Sequence, residues 1–348
     1  MNTKNKRIVA VVVTVAAAAG VFLWITRGPG SARARKQGPP VAAAPAAKAP
    51  AAGSHVSSTV ARPRETAPTP PAPTTTPPPA PPPASAASDV TVQQGLQLTE
   101  AGKLLEARSV LSRALFAGGL NEAEAEQARA AATRLAEETL LSPRFYEGDP
   151  YAFQYTFVSG DTLGRVEREL KLHVPAQLIL RVNGIAQGSA IRAGQSVKMI
   201  QGPFHAIVSK GNFTLDLYLH REGLEKLFIK RVRVGLGADG STPVGSWKVG
   251  LGKKMINATW FPPASSPIRR PQRPGDPDYP LGNAGYWIGL VGTDPNTLSC
   301  EGYGLHGTND PNSIGRAASL GCIRLPDSDI ELVFSLLYED WSTVQVTP

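Results

Sequence analysis

Three observations predict a multidomain chain whose C-terminal part is a mainly β domain with one late helix. A proline- and alanine-rich tract separates an apolar N-terminal segment from everything that follows. Apolar residues then recur at helical spacing over a stretch of ordinary composition. From Phe204 onward, short apolar or alternating runs are divided by Gly and Asn turns, the pattern of successive strands. The expected organisation is an anchor segment at 1–37, a linker at 38–88, a helical hairpin at 89–150, a small βααβ unit at 151–202 and the β domain at 203–348.

The first element is Ile8 to Thr26 (IVAVVVTVAAAAGVFLWIT), an uncharged apolar run preceded by Lys4, Lys6 and Arg7. At about 1.5 Å per helical residue it reaches roughly 28 Å, close to the hydrocarbon thickness of a bilayer. Arg27 follows directly, and the nearest A-x-A pattern, Ala32 to Ala34, is separated from the run by charge. An uncleaved membrane helix is therefore expected over a cleaved signal peptide. Basic residues flank both sides, so charge alone does not orient it. Gly38 to Ser88 has almost no large apolar residue and cannot bury enough surface to offset ordering entropy. As polyproline-rich chain it could extend on the order of 150 Å, a spacer away from a membrane.

The net charge of +8 suits attraction to an anionic polymer. Basic residues concentrate between Phe204 and Arg273, among them Lys226, Lys230, Arg231, Arg233, Lys253, Lys254, Arg269 and Arg270. No zinc finger, aromatic RNA-binding strand or helix-turn-helix accompanies them, so nucleic acid is not an expected partner.

In the helical segment Leu104, Ala107, Leu111, Ala114 and Leu115 share a face, and Gly118-Gly119 ends the run. Asn121 is placed to cap a second helix, with Glu124 completing a capping box. The stretch EAGKLLEARSVLSRAL resembles a tetratricopeptide helix through Gly102, Ala107, Leu111 and Ala114, although only one repeat is visible. A helical hairpin packing on its neighbours and a contact for a protein partner both remain open.

Tyr155 to Gln201 reads as strand, helix, helix, strand, with turns at Gly160-Asp161-Thr162-Leu163, Asn183-Gly184 and Ala193-Gly194-Gln195. In order and spacing it resembles a lysin-motif (LysM) domain. That resemblance implies binding of N-acetylglucosamine-containing glycan at Gly160, Asp161, Thr162 and Leu163 and at Asn183, Gly184 and Ile185. Turn formation accounts for the same glycines and asparagine without any ligand.

Within the β domain, HAIVSK, FTLDLYL, LFIKRVRVGLG, GSWKVGLG, YWIGLVG, YGLHG and STVQVT read as strands. A helix is expected from about Ser328 to Tyr338, with Ser328 and Glu331 spaced as a capping box. One of five histidines and one of two cysteines stand close together in HGTNDPNSIGRAASLGCIRLPDSD. A thiol nucleophile needs a base in reach and donors aimed at an oxyanion. Cys322 follows a glycine that permits a tight turn, Arg324 is placed to favour a thiolate or hold a carboxylate, and His306 lies between Gly304 and Gly307. A buried structural cysteine, or a disulfide to Cys300, is the competing expectation.

The stretch resembles the signature of the L,D-transpeptidase catalytic domain. The matching residues are His306-Gly307-Thr308, Ser313-Ile314-Gly315, Ser319, Gly321-Cys322-Ile323-Arg324-Leu325 and Asp329, with Thr242-Pro243-Val244-Gly245 and Pro280-Leu281-Gly282 upstream. The chain departs at Leu320, where many members carry histidine. The resemblance implies a β-sandwich with a C-terminal helix, Cys322 as nucleophile, His306 as general base oriented by the Gly307 carbonyl, and an oxyanion hole near Gly321 and Cys322. It further implies Arg324, Ser319 and Thr308 at the substrate, with loop support as the other role of the two hydroxyls. Asp329 is read as stabilising a helix start. Neither cofactor nor metal is implied. The substrate implied is peptidoglycan: Cys322 attacks a stem-peptide amide, releases D-alanine, and a neighbouring stem's amine resolves the thioester as a 3→3 cross-link. Resolution by water (carboxypeptidase) or by a protein amine (ligation to the wall) uses the same site, and a non-catalytic wall tether is the alternative outside enzymology. The expected location is the cell envelope, anchored in the cytoplasmic membrane with the catalytic domain outside it.

Overall fold

The computed structural model of the chain describes residues 85–263, 266 and 268–348; the expected membrane segment and the spacer up to residue 84 lie outside the described residues. Among the described residues no helix is long and apolar enough to cross a membrane.

The helical segment holds three helices rather than the expected two: α1 (Ser85–Glu100), α2 (Leu104–Ala117) and α3 (Glu122–Thr139). Helix α1 begins inside the stretch that composition assigned to the spacer, because Pro83 is the last proline of that stretch and none follows within α1 to remove a helical hydrogen bond. At α3 the capping box forms: Asn121 Oδ1 accepts from the Glu124 N–H at 3.0 Å, and the Glu124 carboxylate accepts from the Asn121 N–H at 2.8 Å. Val92, Ala107, Leu111, Ala128, Ala132 and Leu135 form a core that also takes in Phe228 from the β domain. The sheet, not a further repeat, covers this helical face.

Next come β1 (Ala152–Thr156), α4 (Leu163–Glu169), α5 (Ala176–Val182) and β2 (Ser196–Ile200), with β1 antiparallel to β2 and Ala152 opposite Ile200. The β domain contributes β3 (Phe204–Ser209), β4 (Thr214–Leu219), β5 (Leu227–Arg233), β6 (Leu236–Gly237), β7 (Gly245–Met255), β8 (Trp287–Gly292), β9 (Gly304–His306), β10 (Ala317–Ser319), β11 (Ile323–Arg324), α6 (Asp327–Leu336) and β12 (Thr343–Thr347).

Eight of these strands form one sheet in the order β11-β9-β8-β7-β12-β3-β4-β5, with β6 and β10 as a separate parallel pair. The expected sandwich of two stacked sheets is thus corrected to a single curled sheet. The β7–β8 register shifts between Val249 and Lys254, which bends the ladder. Beyond β5, Gly235 exchanges two 2.8 Å backbone hydrogen bonds with Arg324 of β11. The two edge strands are tied together there, and only glycine allows it, since a methyl on Gly235 would run into the Ser313 carbonyl.

The core runs without a break through Leu140, Leu172, Met199, Phe204, Trp247 and Val346, across both boundaries expected at residues 150 and 202. Each large side chain so buried contributes about 1.5–3 kcal/mol. At the second boundary the Gly202 N–H donates to the Leu172 carbonyl at 2.7 Å, and a Cβ there would sit 2.6 Å from the His173 oxygen. Polar groups reinforce the junction. Arg108 of α2 makes a two-pronged pair with Asp149 at 2.8 and 3.1 Å and donates to Thr139 Oγ1 at 2.7 Å. Lys198 of β2 donates to the carbonyls of Thr139, Ser142 and Arg144 at 2.7, 2.9 and 2.7 Å, placing a cation at the α3 C-terminus. Burial pulls its ammonium down to about 8.

At α6 the expected box does not form. The helix starts at Asp327, Pro326 holds the cap position without a side-chain bond, and Ser328 lies within the first turn. Asp327 instead accepts from the Asn283 N–H at 2.8 Å.

Candidate active site

Strands β9 and β11 are parallel neighbours, with Arg324 opposite His306 and Ile323 opposite Leu305. Because strand side chains alternate, Cys322, Arg324 and His306 share one face, with Cys322 level with Gly304. Chain segments sixteen residues apart are brought side by side by this pairing, not by the loop between them.

His306 is 6% exposed, and its Nδ1 lies 2.6 Å from the Gly307 carbonyl oxygen. A carbonyl only accepts, so Nδ1 carries the proton and Nε2 keeps its lone pair. Burial lowers the imidazole to about 4, the Arg324 charge acts the same way, and the Gly307 hydrogen bond opposes them. Trp287, opposite His306 across β8 and β9, stacks on the ring with centroids 5.8 Å apart and planes at 17°.

Cys322 is half-buried, and its thiol points to the Gly302 carbonyl at 3.7 Å. Burial pushes the thiol up to about 11, against a backbone hydrogen bond from Gly304 and the Arg324 charge. At neutral pH the site therefore rests as a neutral thiol and a neutral imidazole. Such a pair moves its proton as the sulfur attacks, not beforehand. Cys300 and Cys322 are both free, and the Cys300 thiol points to the Asn296 carbonyl at 3.6 Å, so the disulfide alternative is not what the structure holds.

Three of the expected site residues make hydrogen bonds within their own loops. The Gly321 N–H, expected in the oxyanion hole, donates to Ser319 Oγ at 3.1 Å, and that hydroxyl donates to the Cys322 carbonyl at 2.7 Å. Ser319 is buried, and its hydroxyl bonds within the 319–322 loop. Thr308, also buried, donates to the Asp310 carbonyl at 3.4 Å and accepts from the Asp310 N–H at 3.1 Å. No backbone acceptor for the Cys322 N–H is seen among the described residues. Gly321 itself adopts φ +133°, and a Cβ there would meet the Tyr303 ring at 2.7 Å. Its carbonyl accepts from Thr242 Oγ1 at 2.8 Å, which ties the Thr-Pro turn to the nucleophile loop.

Arg324 retains capacity. Its Nε is buried without a partner, and the nearest carboxylate, Asp310, is 4.0 Å away. An under-paired guanidinium beside a thiol suits a substrate carboxylate. Asp329 lies in the first turn of α6 and pairs with Lys230 at 2.9 Å.

The residues expected to bind glycan are occupied within the βααβ unit. Asp161 accepts from the Tyr155 hydroxyl at 2.8 Å and the Val158 N–H at 3.0 Å, and Thr162 caps α4. Leu163 is buried; the Asn183 side chain donates to the Ile179 and Lys198 carbonyls and accepts from the Lys198 N–H. Gly160 and Gly184 adopt φ of 91° and 64°, as turns require, and Ile185 packs on the core. Sequence reasoning missed Trp287 and Tyr303 as neighbours of the site, since each sits in an ordinary apolar pattern that gives no signal, while Thr242 stood in the turn that the family resemblance had marked.

Residues 203–346 match the YkuD family, described as the L,D-transpeptidase catalytic domain. A Bacillus subtilis protein carrying the name L,D-transpeptidase YkuD is 30% identical over 183 residues, covering 51% of this chain and 88% of that protein. Its Bacillus licheniformis namesake is 29% identical over 201 residues, covering 56% and 98%. An Escherichia coli protein named as L,D-transpeptidase YcfS is 32% identical over 143 residues, covering 38% of this chain and 39% of that one. The 183-residue alignment is longer than the 203–346 match, so likeness extends N-terminal to it.

Proposed function

Since the chain belongs to the L,D-transpeptidase family, we propose that it cross-links peptidoglycan stem peptides through a Cys322 acyl-enzyme, held at the membrane by its N-terminal segment. One observation carries the chemistry: the Gly307 carbonyl fixes the His306 tautomer so that Nε2 is a free base on the sheet face that carries Cys322. In this mechanism Nε2 takes the thiol proton as Sγ attacks the amide carbonyl before terminal D-alanine. The Cys322 N–H stabilises the oxyanion, and the imidazolium returns the proton to the departing D-alanine amine. An amine of a second stem then resolves the thioester, leaving a 3→3 link. Arg324 holds a stem carboxylate, which its unpaired Nε supports.

The βααβ unit is proposed to hold glycan through its turns at 160–163 and 183–185. Since Asp161 and Asn183 use their side chains within the fold, backbone groups carry that contact. The anchor and spacer would raise the local concentration of the site at the wall.

Incubating the full chain with disaccharide-tetrapeptide and reading masses tests the proposal. A thioester adduct with loss of D-alanine is expected on Cys322, and none in Cys322→Ala. An undiminished adduct in the variant overturns the mechanism. Dimeric products support cross-linking, whereas tripeptide monomers alone assign resolution to water.

A further inference from the structure

We propose that Trp287 is the positioning residue of the catalytic base: its indole fixes the plane of the His306 ring and shuts water from that side of the Cys322–His306 pair. This rests on the roles proposed above for those two residues.

The Gly307 hydrogen bond holds one atom of the imidazole but leaves the ring free to rock about that contact. A flat neighbour at 5.8 Å and 17° removes that freedom. The indole has a place prepared for it. A Cβ on Gly304 would lie 2.8 Å from Trp287 Cζ2 and 2.9 Å from Cη2, and one on Gly289 would lie 3.0 Å from Nε1. Two glycines, on β9 and β8, thus leave the trough in which the ring lies. Gly304 is also level with Cys322 in the β9–β11 pairing, where Ile323 lies opposite Leu305. One side chain therefore packs on the His306 ring and on the strand residue level with Cys322.

What holds the indole comes from the excursion between β7 and β8. Ala258, Tyr279 and Leu281 form a small core of their own, against which Trp260 and Trp287 pack. The Tyr279 hydroxyl donates to the Ala258 carbonyl at 2.6 Å, and the Ala258 N–H donates to Gly285 at 3.0 Å. The same excursion reaches the other side of the base, since a Cβ on Gly307 would meet the Leu281 carbonyl at 2.9 Å. The charged or titratable groups facing the imidazole are Arg324 of β11 and Cys322 just before it, with Asp310 beyond Arg324. From β8 the Trp287 indole faces it.

The test uses the full chain with Trp287→Ala and Trp287→Phe. The His306 resonances, assigned by their loss in His306→Gln, are titrated by NMR. The pH dependence of iodoacetamide labelling is mapped to Cys322 by peptide mass, and kcat and KM are measured on tetrapeptide. Trp287→Ala should raise the His306 midpoint by at least one pH unit, towards ordinary histidine. It should lower kcat tenfold or more with KM within twofold, and Trp287→Phe should recover most of both. An unmoved midpoint and labelling profile in a folded Trp287→Ala, or a loss confined to KM, would overturn the proposal. Should Trp287→Ala fail to fold, Trp287→Leu keeps apolar bulk without the flat face and must move the midpoint in the same direction. Titration and labelling need no wall substrate, so they decide the positioning role even if wild-type protein forms no acyl-enzyme.

Discussion

Cys322 and His306 are each held in the uncharged form by burial, and this links folding stability to pH in two separate windows. The folded imidazole titrates near 4 rather than 6.5, so between those values the unfolded chain binds a proton that the folded one refuses. Stability is complete above 6.5 and falls as pH drops towards 4. The folded thiol titrates near 11 rather than 9.0, so between them the folded chain keeps a proton that the unfolded one has lost. Stability falls as pH rises through that window. Urea midpoints measured across pH should show His306→Gln flattening the acid limb and Cys322→Ala the alkaline limb. Superimposable profiles for wild type and both variants would refute the assignment of charge states. In the proposed mechanism the same depressed imidazole keeps its lone pair for acylation below pH 6, where an ordinary histidine would already be protonated.

At the scale of elements, the site exists because a two-residue strand, β11, is held from both sides. On one side it pairs with β9, which sets Arg324 opposite His306. On the other, Gly235 binds Arg324 through two backbone hydrogen bonds and draws the far edge of the sheet onto the near one. Gly235→Ala forces a methyl against the Ser313 carbonyl, where backbone must give way. An overpacking loss of about 1–3 kcal/mol is expected, read from denaturant unfolding, together with slower acylation as Arg324 shifts. Full stability and unchanged acylation would mean that the closure does not support the site.

At the scale of the whole molecule, segments of differing composition within residues 92–348 are joined by shared packing and polar contacts. Arg108 and Asp149 are each 1% exposed at the side chain, and their pair lies where α2, the approach to β1 and, through Lys198 and Thr139, β2 meet. The Tyr151 hydroxyl reaches the Glu225 carbonyl at 2.6 Å, joining the same region to the β domain. Asp149→Ala strands a buried guanidinium and should cost about 3–5 kcal/mol. The double variant Arg108→Met/Asp149→Leu should recover most of that, because no unpaired charge is left. A single cooperative unfolding transition is expected in each case, and independent melting of the helical segment would contradict the shared core.

The sequence by itself determined the local features: the capping box at Asn121, the alternating strand runs, and a Cys–His–Arg set framed by glycines. Helix caps depend on residues three apart and strand faces on residues two apart, so a linear reading finds them. The tertiary structure alone decided the rest. It turned two expected sheets into one curled sheet, engaged Gly321 and Ser319 within the loop, and set Trp287 against His306. It also ran one hydrophobic core past residues 150 and 202. Each of these depends on contacts between residues distant along the chain, such as Gly235 with Arg324 or Tyr151 with Glu225. A sequence pattern records which side chains can make such contacts, while only packing selects the partners they meet.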